Sequence, residues 1–391
     1  MAMTVNVWAR YALYVLFLLP GLTMATWVTR TPALRDGLSA STEQMGIILF
    51  GFSTGAMTGI LSAGKLVERY GANRIILVGL MALSVGLCIL ASSVGFDSIA
   101  CAFAGLFVFG VGIGWAEIAV NIEGAAVERE IRQPIMTTLH GSFSLGTLIG
   151  AVLGMAMTAS GIALNIHLGF VAALCAVATL VVIRKAPRLS EQPQSEQQVG
   201  AQTSSWFKEL RDGRLILICF IVLAMALAEG AANDWLPLLM IDGHGFAETA
   251  GTLIYVAFTL GMTVGRFGGG VVIRRFGAVN TLRASAFVGA LSLAVIVFCN
   301  EPWIAAAAVV AWGLGASLGF PLAISAAGAS GTNSDLRVRL AATAGYLAFL
   351  VGPPMLGFIG EIHGLRLAML PVLAVVAIAF VVASALKEAE P

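Results

Sequence analysis

The stretch GVGIGWAEIAVN, from Gly110 to Asn121, decides the fold because it places a carboxylate and a carboxamide inside an apolar run. That run extends from about residue 98 to residue 127, long enough to cross a bilayer as one helix. Glu117 lies roughly one helical turn from its centre, and Asn121, four residues on, shares its face. The alternating glycines allow another helix or a ligand to approach closely. A carboxylate at that depth is costly, so Glu117 is a candidate functional residue; the alternative is a Glu hydrogen-bonded inside a helical bundle.

Composition restricts the chain to one broad class. Of its 391 residues, 59% are hydrophobic and only 11% are charged, whereas about 25% are charged in a soluble domain. These values predict an integral membrane protein. With a net charge of only +1, the chain lacks the excess of positive charge typical of nucleic-acid-binding proteins. The five cysteines are scattered singly without metal-ligand spacing, so we expect packing roles for them and neither a metal nor a cofactor.

Apolar runs long enough to span a bilayer recur twelve times, which predicts an all-α membrane protein. The first run is too long for a cleavable signal peptide, so we expect it to remain as the first helix. The runs cover approximately residues 11–31, 44–63, 74–94, 98–124, 135–160, 164–183, 215–240, 249–270, 281–299, 303–327, 339–360 and 365–386.

Basic residues follow every even-numbered run. The positive-inside rule therefore predicts that these connections and both termini are cytoplasmic, in a cell inner membrane. The residues include Lys65, Arg69, Arg74, Arg129, Arg132, Arg184, Lys185, Arg214, Arg274, Arg275, Arg337 and Arg339. Arg30, Arg35 and Arg366 are exceptions on the outer side.

One connection alone is long and polar, from Ala186 to Trp206, and it separates six runs from six. We therefore expect an N-terminal six-helix bundle at residues 1–185, a cytoplasmic linker at 186–213 and a C-terminal six-helix bundle at 214–391.

The two halves also repeat each other in sequence. GKLVERYGANR begins at Gly64 and GVVIRRFGAVN begins at Gly270, 206 residues later (270 − 64). FGVGIG begins at Phe109 and WGLGAS begins at Trp312, 203 residues later (312 − 109). A near-constant offset indicates an internal duplication, as in many transporters.

The motif Gly64-x-x-x-Glu68-Arg69-x-Gly71 lies where two helices must turn tightly. Gly71 suits the turn, Glu68 can meet the N-terminus of a neighbouring helix, and Arg69 can form an ion pair across the bundle. We interpret these residues as a gating latch, with Arg266 and Arg275 from the second half. The alternative is ordinary positive-inside charge, which leaves the glycine spacing unexplained.

The motif resembles the loop signature of the major facilitator superfamily, with Glu68 where Asp is usual. The twelve runs, the repeat and the linker agree with that resemblance. It implies two pseudo-symmetric six-helix bundles around a central cavity, which alternates between outward-open and inward-open states. The resemblance is specific for the fold and weak for the substrate.

Within the superfamily the sequence resembles the fucose–galactose–glucose:proton symporters, and it is also similar to YbjJ-type inner-membrane permeases. The matching motifs are Glu117-x-x-x-Asn121, Glu229-x5-Trp235, Gly265-Arg266-Phe267-x-Gly269, Phe320-Pro321 and Gly357-Phe358 with Glu361. The resemblance implies that Glu117 is a sugar- and proton-linked carboxylate. The chain departs from that branch where Val28 replaces a carboxylate and where His140 and Phe143 replace Gln and Asn.

Several further residues are candidates for substrate contacts. Glu229 and Asn233 share one helix face in the seventh run. Trp27 and Trp235 occupy corresponding places in the two halves, either in an interfacial aromatic belt or as stacking platforms for a sugar ring. His140 can hydrogen-bond a ligand or titrate, or pack as a satisfied side chain.

Arg30 either snorkels at the membrane boundary or binds an anion. Val28 removes a negative charge from the cavity, and Arg30 and His140 can add positive charge. An anion should therefore bind more favourably, and we expect sugar acids to compete at least as well as neutral hexoses. Phe320 completes the predicted binding set.

These features predict proton-coupled symport of a small polar solute, a sugar or sugar derivative, across a lipid bilayer by a monomer. No motif for a nucleophile, a zinc protease or a phosphate loop is present, so we do not expect an enzyme. The alternatives are an exporter or facilitator of another metabolite and a non-transporting membrane sensor.

Overall fold

The computed structural model describes residues 7–131, 135–187, 209, 211–331 and 333–387. All regular secondary structure within those ranges is helical, and the chain divides into two compact units, Met1–Gln194 and Ser195–Pro391. Most of the predicted linker and both chain ends lie outside the described residues.

Within the described ranges, the first unit contains six long helices and one short one. In chain order they are α1 (Val7–Val28), α2 (Thr31–Gly37), α3 (Thr42–Tyr70), α4 (Ala72–Ser93), α5 (Ile99–Ile131), α6 (Met136–Ala159) and α7 (Leu164–Val182), followed by a 3₁₀ turn (Ile183–Lys185). Ser41 and Gln44 form a capping box at the start of α3, which satisfies two backbone N–H groups there.

The second unit is built in the same way. From residue 213 onward, the helices that the structure describes there are α8 (Gly213–Leu238, extended by a π-helical turn at Leu239–Gly243), α9 (Glu248–Phe298), α10 (Pro302–Ala329), α11 (Ser334–His363), α12 (Leu365–Ala368) and α13 (Leu370–Val382), followed by a 3₁₀ turn (Ala383–Leu386).

Helix α9 accounts for two membrane spans. Its 51 residues would measure about 76 Å at 1.5 Å per residue, more than twice the roughly 30 Å of a hydrocarbon core. Gly277 interrupts it with φ 75° and ψ 165°, leaving a first half (248–276) and a second half (278–298). Eleven helices of the described ranges are long and apolar enough to cross a membrane. With α9 counted twice, they confirm the twelve predicted spans.

The tight turn predicted at Gly71 is present, and it recurs in the second unit. Gly71 has φ 83° and ψ 150°, close to the values at Gly277, which lies 206 residues later (277 − 71). Backbone of this kind is accessible to glycine and strained for other residues. The guanidinium of Arg69 lies 5.2 Å from the Tyr70 ring centroid, and that of Arg275 lies 5.5 Å from Phe276. The duplication therefore extends to the conformation of this turn.

Helix packing repeats at the same offsets. A Cβ on Gly112 of α5 would lie 2.6 Å from the carbonyl oxygen of Gly79 in α4. A Cβ on Gly315 of α10 would lie 2.9 Å from the carbonyl oxygen of Ser285, in the second half of α9. The glycines are 203 residues apart (315 − 112) and their partners 206 apart (285 − 79). Glycine thus brings equivalent helix pairs into backbone contact in both units, as the sequence predicted for Gly112.

The change of offset from 206 to 203 has a simple origin. The connection between α4 and α5 covers residues 94–98, whereas that between α9 and α10 covers only 299–301. Helix α4 has 22 residues, and the second half of α9 (278–298) has one fewer. Together these differences account for the three residues.

Candidate functional site

Glu117 occupies a singular position on α5. It is the one exposed residue between Gly105 and Glu128, where every other side chain is buried or partly buried. Because a carboxylate facing lipid is strongly unfavourable, an exposed Glu at mid-helix indicates a water-filled space beside α5. The predicted alternative of a Glu enclosed within the bundle does not match this exposure.

The rotation of α5 about its axis is fixed by its neighbours. Gly110 and Gly114 pack against the backbone of α3, as the sequence predicted. The indole N–H of Trp115 donates to the hydroxyl of Ser62 in α3 at 2.8 Å. Asn121 donates through Nδ2 to the backbone carbonyl of Glu117 at 2.8 Å, so its side chain lies against that turn of the helix.

His140 of α6 is exposed, and its ring meets the Phe17 ring edge to face at 5.5 Å. A Cβ on Gly124 of α5 would also lie 3.6 Å from the Phe17 ring. Phe17 of α1 thus connects the α6 residue His140 with the part of α5 that follows Asn121. His140 is thus linked through Phe17 to the turn of α5 after Asn121, and Glu117 lies one helical turn before Asn121 on the same face.

A second polar group lies in the other unit, between α8 and the first half of α9. Arg266 donates through Nη2 to Glu229 Oε1 at 2.8 Å, and the two form an ion pair. One turn beyond Glu229, the carboxamide oxygen of Asn233 accepts a hydrogen bond from Tyr255 at 3.1 Å. The structure thus places Arg266, which the sequence grouped with the gating latch, against Glu229.

Phe320 of α10 is partly buried. A Cβ on Gly345 of α11 would lie 2.8 Å from its ring, so the ring packs over that glycine. In α11, the Phe349 ring packs over Gly230 of α8, the residue after Glu229. A Cβ on Gly230 would lie 2.9 Å from that ring. Aromatic side chains of α10 and α11 therefore pack over glycines, one of which adjoins the polar group of α8.

The two tryptophans predicted to bind substrate are interior residues of their units. Trp27 is 1% exposed and packs against Phe52 and Phe109 at 5.5 and 6.2 Å between ring centroids. Trp235 is 0% exposed. Both indole N–H groups are buried without a hydrogen-bond partner in the described part of the chain. Neither ring presents an accessible face, for a sugar or for an interfacial belt.

Arg30 is likewise held inside the first unit. It is 4% exposed and donates to the hydroxyl of Thr158 at 3.0 Å and to the carbonyl of Ile162 at 2.8 Å. These bonds join the end of α1 to the end of α6 and its following turn. Such a buried, multiply bonded guanidinium differs from both sequence interpretations, a snorkelling side chain and an accessible anion ligand.

Each unit has one buried histidine close to one arginine where its first and last spans meet. His167 at the start of α7 lies near Arg30, and His244 after α8 lies near Arg366. The order is exchanged between the units, since the arginine follows the first span in one and begins the last span in the other. Burial, and secondly the Arg366 charge, lower the pKa of His244.

The proposed latch residues lie at the turn ends of their helices. Glu68, Arg69 and Arg275 are exposed, and a Cβ on Gly64 would meet no atom within 4 Å.

A different ion-pair cluster lies where α8 and α11 begin. Arg337 is buried and donates to Glu209 at 2.6 Å, to Asp212, and to the Ser330 hydroxyl at 2.8 Å. The Arg337 hydrogen bond lowers the pKa of Asp212 below its usual range.

Sequence reasoning missed two buried polar residues, Glu123 of α5 and Tyr255 of α9, which are both 0% exposed. It left Asp234 of α8 open, as a functional member of the polar group around Glu229 or as a residue merely wetted near the outer surface; the structure buries Asp234 at 5% exposure. Glu123 could have been recognised as an acidic residue within a span, and Tyr255 by its place among apolar residues. No group of three metal-ligating side chains occurs within the described ranges.

Comparison with known proteins identifies the family. The model of the Major Facilitator Superfamily matches residues 12–331. An uncharacterised MFS-type transporter of Yersinia pestis is 26% identical over 355 residues, which cover 90% of this chain and 89% of the relative.

Solved structures share the fold at lower identity. A variant of the nucleoside transporter NupG has a TM-score of 0.78 at 13% identity, covering 97% of this chain and 100% of that one. A variant of the E. coli fucose:proton symporter FucP has a TM-score of 0.65 at 16% identity, covering 97% and 98%. With twelve apolar spans, an internal repeat and a family match over most of its length, the chain is a multi-pass membrane transporter that belongs to the Major Facilitator Superfamily.

Proposed function

We propose that the protein is a proton-coupled symporter of a small polar solute, a sugar or sugar derivative, working by alternating access. The observation that carries this proposal is the exposure of Glu117 in the middle of an otherwise buried or partly buried span. A titratable group in contact with water at membrane depth is what proton coupling requires. Support also comes from the same fold in a fucose:proton symporter and in a nucleoside transporter, whose cargo includes a sugar ring.

Glu117 is the proposed proton carrier. When deprotonated it must stay hydrated, which opposes closure of the space beside α5. Protonation together with substrate binding removes that cost and permits the conformational change. Asn121, His140, Asn233 and Phe320 are proposed substrate contacts, and Glu229 joins them with Arg266 beside it. Trp27, Trp235 and Arg30 are better explained as packing residues, because they are buried.

The remaining assignments belong to the same proposal. Gly64, Glu68, Arg69, Gly71 and Arg275 form the gating latch at the turn ends of their helices. Positive-inside charge supports a cytoplasmic position of those ends and of both termini, in a cell inner membrane. The protein acts as a monomer made of two six-helix bundles, at residues 1–185 and 214–391.

The experiment begins with a thermal-shift screen of sugars, sugar acids and nucleosides on purified protein, and continues with the best ligand in proteoliposomes. An inward proton gradient should drive accumulation by the wild type. Glu117→Gln should abolish accumulation and leave substrate exchange largely intact. Glu130→Gln, exposed near the end of the same helix, is the matched control and should accumulate normally. Full proton-driven accumulation by Glu117→Gln would remove Glu117 from the mechanism, and transport insensitive to the gradient would favour a facilitator.

A further inference from the structure

The accessible surface of α8 is unusual because it is entirely polar over a long stretch. From residue 224 to residue 240, only Glu229 and Asn233 are not buried. They are four residues apart and form one stripe. A stripe facing lipid would be apolar, so this stripe borders water.

Arg266 meets that stripe from deep within the first half of α9. It lies 11 residues before Gly277 (277 − 266), or about 16 Å along the helix axis from the turn. A cation at such a depth is rare unless it is paired or functional. Here it is paired with Glu229 at 2.8 Å, yet 34% of the Arg266 side chain and 18% of the Glu229 side chain remain accessible.

We propose that Arg266 is the anchor for a carboxylate on the transported solute, so that the substrates are organic monocarboxylates such as sugar acids. Before the substrate binds, Glu229 occupies the place of that carboxylate on Arg266. The substrate carboxylate replaces Glu229 on the guanidinium, and the released Glu229 takes up one proton from the buffered bulk solution. This inference deepens the proposed symport and rests on it.

The charge balance explains why a proton accompanies the anion. Before binding, the Glu229–Arg266 pair has no net charge. After exchange, the substrate anion neutralises Arg266 and protonated Glu229 is neutral, so the net charge is again zero. Without the proton, two carboxylates would share one guanidinium at membrane depth, which like-charge repulsion disfavours. Glu229 thereby couples one proton to one acid in the second unit, in addition to the proton proposed for Glu117.

The chemistry of the pair favours an acid over a neutral solute. Arginine presents several N–H donors in a planar fork that matches a carboxylate, and such charge-assisted bonds are stronger than those to a hydroxyl. A neutral hydroxyl therefore cannot displace Glu229 efficiently, whereas another carboxylate can. The partial exposure of both partners weakens their attraction and makes exchange feasible. Asn233, held by Tyr255 one turn away, is available to hydroxyl groups of the same ligand.

The test uses purified protein and a panel of sugar, hydroxy and aromatic monocarboxylates, each paired with its primary amide, with sugar phosphates as a further arm. We expect at least one acid to bind tenfold or more tightly than its amide. Calorimetry in two buffers of different ionisation enthalpy, on the Glu117→Gln variant so that Glu229 is the one proposed proton acceptor left, should show uptake of about one proton per acid bound. Phosphates binding better than every carboxylate would overturn the assigned ligand class.

Three variants separate the roles. Arg266→Gln should reduce acid affinity at least tenfold and leave amide affinity unchanged. Glu229→Gln should bind acids more tightly and take up one proton fewer per acid bound than its parent protein. Arg274→Gln, exposed near the end of the same half-helix, is the control. If Arg266→Gln fails to fold because Glu229 is left without its partner, the double variant with Glu229→Gln restores neutrality and should still lose acid selectivity.

The proposal is overturned if no acid binds better than its amide, if Arg266→Gln retains acid selectivity, or if Glu229→Gln takes up the proton as the wild type does. These failures differ from failure of the proposed symport. Gradient-driven accumulation of neutral sugars that depends on Glu117, with no effect of acids, would contradict this inference alone. Acid binding that depends on Arg266, without gradient-driven transport, would contradict the symport and leave the anchor intact.

Discussion

Gly110 lies so close to the backbone carbonyl of Phe52 that a Cβ at Gly110 would overlap the carbonyl oxygen, and Gly313 has the same relation to Phe258 in the second unit. Equivalent helices in both halves thus meet backbone to backbone. The contact is impossible for any larger residue unless the helices move apart.

Alanine at either glycine should therefore destabilise its unit. Overpacking of this kind costs about 1–3 kcal/mol, so Gly110→Ala and Gly313→Ala should each lower the apparent Tm of the purified protein. Gly169→Ala in α7 is the matched control, because a Cβ there meets no atom within 4 Å. Its Tm should be unchanged or slightly higher, since alanine favours helix. Equal Tm values for all three variants would contradict the close contact.

The glycine turns give a second prediction. Gly71 and Gly277 adopt backbone angles that strain other residues by about 1–3 kcal/mol. Alanine at either position should lower the apparent Tm. Gly64→Ala, earlier in α3, adds a Cβ that would meet no atom within 4 Å, so this variant should be tolerated. If the apparent Tm fell only in Gly64→Ala, the assignment of backbone strain to Gly71 and Gly277 would be wrong.

Arg30 should behave as a structural residue. Its bonds to Thr158 and Ile162 involve a charged donor, so Arg30→Gln is expected to lower stability by about 1.5–3 kcal/mol. Thr158→Val removes only one bond and should have a smaller effect on the apparent Tm. Acid affinity should not change in either variant. A selective loss of acid binding in Arg30→Gln, at unchanged Tm, would restore the anion-binding role expected from the sequence.

His244 predicts a pH dependence of stability. Its folded pKa is lowered by burial and by Arg366, so the folded state favours the neutral ring. That contribution is complete above the unfolded pKa of about 6.5 and is lost as pH falls towards the folded value. The apparent Tm of the wild type should fall between pH 7 and pH 5, and His244→Asn should flatten the curve. The exposed His363→Asn variant should follow the wild type; flattening there as well would implicate another group.

Asp234 and Glu229 should respond oppositely to amide substitution. Asp234 is 5% exposed and forms no ion pair with any residue in the described ranges. Burying a charge without a partner is unfavourable, so Asp234→Asn should keep or raise the apparent Tm at neutral pH. Glu229→Gln breaks the Arg266 pair and should lower it. A large loss in Asp234→Asn would show that its charge is stabilised by a contact outside the described residues.

The sequence was sufficient for the fold because each span is long and apolar and the two halves repeat. The turn at Gly71 and the close packing at Gly110 were both predicted from glycine alone, and both are present. The single 51-residue helix was not expected, but its break at Gly277 falls where two runs were separated.

The candidate site was less accessible to sequence reasoning, because membrane depth does not specify which way a side chain points. Glu117 and Trp27 both lie in predicted spans, yet one is exposed and the other is enclosed by Phe52 and Phe109. Arg266 was assigned to the latch because it lies near the Gly277 turn in the sequence. Its actual partner, Glu229, is set by the contact of α8 with α9, which the sequence does not specify.

The exact offsets carry an evolutionary consequence. At two equivalent backbone contacts, Gly110 with Gly313 and Gly112 with Gly315, the two halves have the same residue. By contrast, the counterpart of Glu117 is Phe320, 203 residues later (320 − 117). Close backbone contact thus excludes a side chain at these glycines in both halves, whereas the exposed position of Glu117 holds a residue of a different chemical class in the other half. New cargo specificities can therefore arise by substitution at such positions in one copy, with the ancestral packing of the other left untouched.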